Sequence, residues 1–136
     1  MKDLTVELDA ILSGHQNPIY TVENGPQPTM LFTAGNDKGV VLWDLDSMTF
    51  KAILMKVQTS VYALHYVSEI ECLAIGEQSG KVTIYDFKTY KVVASLEHHK
   101  KPIFDIKTIP SKSEIIISSE DGSISIWNWT NFKKVH

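Results

Sequence analysis

The sequence predicts an all-β fold made of three copies of one four-stranded antiparallel unit. Three observations carry that expectation: a register that repeats every 42 residues, apolar residues at period two within each copy, and turn-forming residues between the apolar runs. In this register Trp43 falls on Tyr85 and Trp127, Asp44 on Asp86 and Asn128, Tyr20 on Tyr62 and Phe104, and Ile19 on Val61 and Ile103. A unit of about 40 to 45 residues built from short strands has the length of one β-propeller blade. Three blades cannot close a ring, because propellers typically need about four to eight. The fold class is therefore an incomplete ring of β-propeller blades.

The first unit spans residues 13–54. Ile19 and Val22 begin its first strand, residues 30–34 form the second, 40–43 the third and 49–54 the fourth. Asn24-Gly25-Pro26-Gln27-Pro28 and Asn36-Asp37-Lys38-Gly39 supply the turns of an antiparallel meander. The second unit, 55–96, places strands at 61–66, 72–75, 82–87 and 92–96, with Ser79-Gly80 at its tight turn. The third, 97–136, offers 103–106, 115–118 and 124–127, and its outer strand is only beginning at Lys133-Lys134-Val135-His136. Shifting by one repeat lays Ala52-Ile53-Leu54 over Ala10-Ile11-Leu12. Residues 1–12 are thus read as the outer strand of a preceding or closing blade.

Composition narrows the function classes. The 136 residues carry a net charge of −3, and all 13 basic residues are lysine. A chain without arginine lacks the planar fork favoured for reading bases and gripping phosphates, so no nucleic-acid partner is expected. The Lys pairs at 100–101 and 133–134 read as solvated charge that discourages edge pairing. Cys72, the single cysteine, sits in a strand pattern and reads as a small buried hydrophobe. The first residues carry charges where a leader needs an apolar run, and no stretch approaches the ~18 apolar residues of a membrane span. The expected location is the cytoplasm, with no membrane partner.

Within the first unit His15 precedes the first strand, Thr33 lies in the second, Asp37 in the tight turn, and Trp43-Asp44 ends the third. This pattern resembles the WD-repeat family of the β-transducin type, whose units carry a Gly-His pair, a turn Asp and a terminal Trp-Asp. The resemblance covers essentially the whole chain. It implies a structural tetrad of His15, Thr33, Asp37 and Trp43 inside the first blade. The third unit keeps His99, Asp121 and Trp127 but has Ile117 at the Thr position and ends in Trp127-Asn128, which implies a partial network. The second has Val57, Ile75, Ser79 and Tyr85 at the four places and is expected to rest on packing alone. A hydrolase triad is disfavoured, since the hydroxyl lies inside a strand without a nucleophile elbow. His98-His99 lacks further ligands at a usable spacing, so no metal and no cofactor is expected. The Asn128-Trp129-Thr130 sequon carries no weight without a secretion signal.

In WD-repeat proteins ligands most often meet the narrower face, at the residue five after the His and the residue before the turn Asp. Here the first set is Tyr20, Tyr62 and Phe104, and the second is Asn36, Gln78 and Glu120. An aromatic in every copy beside polar turn residues suits a protein- or peptide-binding surface; the alternative is that the rings line the shaft or pack on the adjacent blade. The expected function is a non-catalytic interaction scaffold. The competing reading is a propeller enzyme or small-ligand binder at the central shaft, which would need convergent acids that the shaft positions do not supply. An open arc also implies partners for its ends: a second copy completing a six-bladed ring, or a missing C-terminal half.

Overall fold

The structure, a computed structural model, describes residues 4–135. Its strands form three antiparallel four-stranded sheets, each running in sequence order from first to last strand. Blade one holds β1 (Ile19–Asn24), β2 (Met30–Gly35), β3 (Gly39–Asp44) and β4 (Thr49–Lys56). Blade two holds β5 (Val61–Val67), β6 (Cys72–Glu77), β7 (Lys81–Asp86) and β8 (Lys91–Glu97). Blade three holds β9 (Ile103–Ile109), β10 (Glu114–Ser119), β11 (Ile124–Asn128) and a short β12 (Lys133–Lys134). First strands of neighbouring blades touch, β1 with β5 and β5 with β9, so the blades fan out from that side.

Turn chemistry explains why the third strand of each unit ends where it does. The side-chain oxygen of Asp44 accepts from the Asp46 N–H at 2.9 Å, that of Asp86 from Lys88 at 2.7 Å, and that of Asn128 from Thr130 at 2.8 Å. The turn needs an acceptor oxygen two residues upstream, which amide and carboxylate both supply. Asn128 therefore serves where the other copies carry Asp. Each of these hairpins also bends through a left-handed residue at the same repeat position, Met48, Tyr90 and Phe132.

Alternation along the strands divides each blade into two faces, and the filled interfaces follow from it. Phe32, Ala34, Val40 and Leu42 of blade one pack against Val61, Leu64, Leu73, Ile75 and Tyr85 of blade two. Ala74, Val82, Ile84 and Leu96 of blade two meet Ile103, Ile106, Ile115, Ile117 and Trp127 of blade three. The same repeat positions at the arc's two ends have no neighbour. Val61 and Ile103 are fully buried, whereas Ile19 in the same column is 45% exposed; Leu64 and Ile106 are buried, and Val22 is 62% exposed. At the far end Ile124 is 63% exposed, although Val40 and Val82 in its column are completely enclosed.

Residues 4–12 carry no strand, and Leu4, Val6, Leu8 and Ile11 are all exposed. The reading of residues 1–12 as an outer strand requires a ladder partner that the described part of the chain does not present to them; residues 1–3 lie outside the described residues. His136 lies outside them as well. Among the described residues no helix is long and apolar enough to cross a membrane.

Candidate functional site

The register within each blade slips by one residue at the same place. Ile19 pairs with Gly35 and Thr21 with Ala34, so Tyr20 has no opposite number. Val61 pairs with Glu77 and Ala63 with Gly76, leaving Tyr62 unpaired. Ile103 pairs with Ser119 and Asp105 with Ser118, leaving Phe104 unpaired. A bulge turns one side chain out of the alternation that would bury it between blades. All three bulged residues are aromatic, and they meet. Tyr20 and Tyr62 have ring centroids 4.9 Å apart, and Phe104 meets Tyr62 edge-on at 6.3 Å. The row crosses all three blades, with Tyr20 45% and Phe104 54% exposed.

Backbone bonds tie the turn between second and third strands to the lead-in of the first. Asn36 N–H donates to the Pro18 carbonyl at 3.0 Å, Gln78 to Ser60 at 2.8 Å, and Glu120 to Pro102 at 2.9 Å. Asn36, Gln78 and Glu120 thereby stand exposed beside the lead-in to each aromatic. Their side chains are not equivalent. The Asn36 oxygen accepts from the Ser60 hydroxyl of blade two at 2.6 Å, a bond between blades.

Beneath this face lie the His networks. In blade one His15 Nδ1–H donates to Asp37 at 2.7 Å, the Thr33 hydroxyl donates to Nε2 at 2.7 Å, and Trp43 Nε1–H donates to the same hydroxyl oxygen at 2.7 Å. With Asp37 as acceptor the ring proton belongs on Nδ1, which leaves Nε2 free to accept. Asp37 also takes the Asn17 amide and the Gln16 N–H. Its carboxyl is lowered, by the Asn17 amide first, against a smaller opposing effect of burial, with His15 and Gln16 adding.

Blade three is more complete than its sequence column implies. His99 Nδ1–H donates to Asp121 at 2.6 Å, and the hydroxyl on Nε2 is that of Ser125, at 2.8 Å. Trp127 Nε1–H donates to Ser125 at 2.9 Å. Ile117 and Ser125 are cross-strand partners, as Thr33 and Val41 are in blade one. The hydroxyl and the aliphatic residue have exchanged strands across one rung, and the network closes from the other side. Asp121 is held well below the usual carboxylate range, by the Ser123 hydroxyl first and His99 next.

Blade two does not rest on packing alone. Val57 replaces the His, but the lead-in is still capped by a carboxylate: Glu77 accepts from the Thr59 N–H at 3.2 Å and the Thr59 hydroxyl at 3.1 Å. At the equivalent place blade one has Gly35, where a Cβ would lie 2.1 Å from the Pro18 carbonyl oxygen. The two lead-ins therefore follow different paths, and only the second leaves room for a side chain. At the opposite end of the first strands, Glu23 of blade one takes the Tyr66 N–H at 2.9 Å and lies 3.3 Å from His65 Nδ1, both of blade two. Burial alone would raise the Glu23 carboxyl; the bonds from His65, Tyr66 and Asn24 outweigh it and lower it.

Among the described residues no group of three or more His, Cys, Asp or Glu gathers as a metal site. One hollow among the described residues lies away from the shaft. It lies on the open side of blade one, lined by Gly14, His15, Val41, Phe50, Ile53 and Val57 among others.

Residues 11–136 match the family described as nucleolar protein 10-like, N-terminal domain. The chain belongs to that family. Polyadenylation factor subunit 2 of Candida albicans is 25% identical over 119 residues, which cover 88% of this chain and 22% of that protein. Among solved structures, the WD40 repeats of RRP9 superpose with a TM-score of 0.81 at 19% identity, covering 91% of this chain and 39% of that one. U3-55K gives 0.82 at 18% identity, over 91% and 40%. The three sheets are WD-repeat propeller blades that do not close a ring, as the register implied. This chain spans well under half of each of these proteins.

Proposed function

We propose that this chain is a non-catalytic arc of a WD-repeat scaffold that holds a protein or peptide segment on its narrow face. A general scaffold role accords with the family and with the WD40 neighbours. The aromatic row supports the choice of face. Tyr20, Tyr62 and Phe104 are turned out by bulges at one repeat position, touch each other across blades, and still leave Tyr20 and Phe104 about half exposed. Rings whose task was only to fill blade interfaces would be enclosed like Phe32. Exposed contiguous aromatics offer large contact area at small entropy cost. Gln78 and Glu120 flank the row as adaptable polar contacts, whereas Asn36 acts mainly through its bond to Ser60.

The test is site-specific photo-crosslinking in cells that make the protein. A photoreactive residue at Gln78 or Glu120 should give discrete protein adducts, and Tyr20→Ala with Phe104→Ala should suppress them. Probes at Glu69 or Lys112, in the short turns at the far end of the blades, should not. Adducts only from those far-end positions would contradict the proposal.

The two open faces form its second part. Ile19 and Val22 at one end and Ile124 at the other occupy columns that are buried elsewhere in the arc, and apolar faces of this kind are covered in working assemblies. A second copy or further propeller blades would cover them. Sedimentation equilibrium at tens of micromolar is expected to show association of the isolated chain, and a stable monomer would count against this part. For location, the family's own description names a nucleolar protein. A nucleolar site of action, within an assembly that handles RNA, is proposed in place of the cytoplasm expected from the sequence; imaging of the tagged protein decides it.

A further inference from the structure

We infer that the corner between blades one and two on the narrow face is a subsite for a lysine ammonium group of the partner, an inference that rests on the narrow-face reading above. Glu77 carries it. This residue is 3% exposed, yet no ion pair among the described residues engages its carboxylate. A carboxylate taken out of water without a counter-charge is costly until a cation reaches it. Its hydrogen bonds occupy one oxygen only, since Oε1 takes both the N–H and the hydroxyl of Thr59. Among the described residues no fully enclosed side-chain oxygen lacks a partner, so Oε2, which takes no hydrogen bond from them, keeps a narrow contact with solvent.

Register puts that opening beside the aromatic row. Glu77 is the cross-strand partner of Val61, the residue before Tyr62, and Tyr62 stacks on Tyr20. Asn36 reaches into the same corner from blade one to meet Ser60. The corner thus places the narrowly accessible Glu77 carboxylate one residue along the register from a pair of aromatic rings. Blades one and three have no counterpart, because Gly35 and Ser119 stand at the equivalent places.

The donor set selects among cations. Calcium and magnesium take about six or more oxygens, and no ligand cluster exists here. A guanidinium pairs best through two parallel bonds to both carboxylate oxygens, but Thr59 already holds Oε1. Aromatic faces attract either cation, but an ammonium group is a compact point charge that can meet a single free oxygen while its other N–H groups stay in water.

The 136-residue chain, titrated with N-acetyl-lysine methylamide and separately with its norleucine and arginine analogues, tests the inference by NMR. Saturable shifts of the Tyr20 and Tyr62 ring signals are expected with the lysine probe and not with norleucine. Glu77→Gln, which retains acceptors for Thr59, should weaken binding at least about fivefold, as should Tyr20→Leu, each removing one ammonium contact. Thermal midpoints control for folding. Should Glu77→Gln unfold, Glu77→Asp keeps the charge but shortens its reach, and the same loss is expected. Unchanged lysine binding in the Glu77 variants, tighter binding of the arginine analogue, or no response to lysine would each overturn the subsite. Cross-linking from Gln78 and Glu120 would still stand in those cases, so loss of the subsite and loss of the narrow-face reading are distinguishable.

Discussion

Blades one and three reach the same buried network from opposite strands of one rung, and blade two does without it. In blade one the hydroxyl that joins His to Trp comes from β2, as Thr33; in blade three it comes from β11, as Ser125. What the imidazole requires is an oxygen at one point in space, and two residues facing each other across a ladder can both supply it. Blade two has the hydroxyl in the blade-three position, Thr83 opposite Ile75, but no His to use it. There the lead-in is held by Glu77 and Thr59. Two copies use their acid to orient a histidine, and the middle copy uses its acid to hold the lead-in directly.

The largest break in this comparison should come from the acids. Asp37→Ala removes the acceptor of His15, of the Gln16 N–H and of Asn17, and is expected to cost about 1–3 kcal/mol because a buried donor is orphaned. Ser79→Ala, the same column in blade two, should stay within about 0.5 kcal/mol. Equal losses in denaturant titrations of the two variants would mean that blade two depends on its turn residue after all.

Next in size is the rung. Ser125→Val leaves His99 Nε2 and Trp127 Nε1 without their partner and should cost about 1–2 kcal/mol. Thr83→Val, with no imidazole opposite, should cost clearly less. Comparison of the two unfolding midpoints would show whether the hydroxyl matters for its network or merely for its size.

Acid should separate the blades as well. Asp37 and Asp121 are both lowered in the folded state, so each contributes stability that is complete above the ordinary aspartate value of about 3.9 and is lost as pH falls through the lowered one. Amide exchange followed downward from about pH 4 should loosen the lead-ins of blades one and three. Uniform loosening across all three would argue against the His–Asp pairs as its cause. The smallest effect belongs to Asn128→Asp, expected within about 0.5 kcal/mol, since either side chain offers the oxygen that Thr130 uses.

The repeat made most of the fold legible. Once Trp43, Tyr85 and Trp127 are aligned, period-two patterning places every strand to within a few residues, because each strand must bury one face against a neighbouring blade. The blade-one network was legible for the same reason: its four residues stand in the columns where the repeat places them. Ser125 was not, because a column-by-column comparison looks for the hydroxyl where Thr33 stands and finds Ile117. The signal was nevertheless present. Ser125 lies two residues before Trp127 and therefore on its face of the strand. Glu77 was hidden differently: its column reads Gly, Glu, Ser, and only the changed path of the lead-in makes room for a carboxylate. The bulges were visible only as a breach of alternation, the adjacent apolar pairs Ile19-Tyr20, Val61-Tyr62 and Ile103-Phe104. Residues 4–12 show the limit of such reading. Their alternation is strand-like, but a strand also needs a ladder, and none of the described residues pairs with them.

One measurement tests most directly whether the position of the hydroxyl, and not the identity of the strand that carries it, builds the network. Ile117→Thr combined with Ser125→Val gives blade three the arrangement of blade one, Thr33 opposite Val41. In a double-mutant cycle followed by denaturant unfolding, Ser125→Val alone should lose about 1–2 kcal/mol and the added Ile117→Thr should restore most of it, a coupling of about 1 kcal/mol or more. Additive losses from the two substitutions would contradict the account, because they would show that the two sides of the rung are not interchangeable.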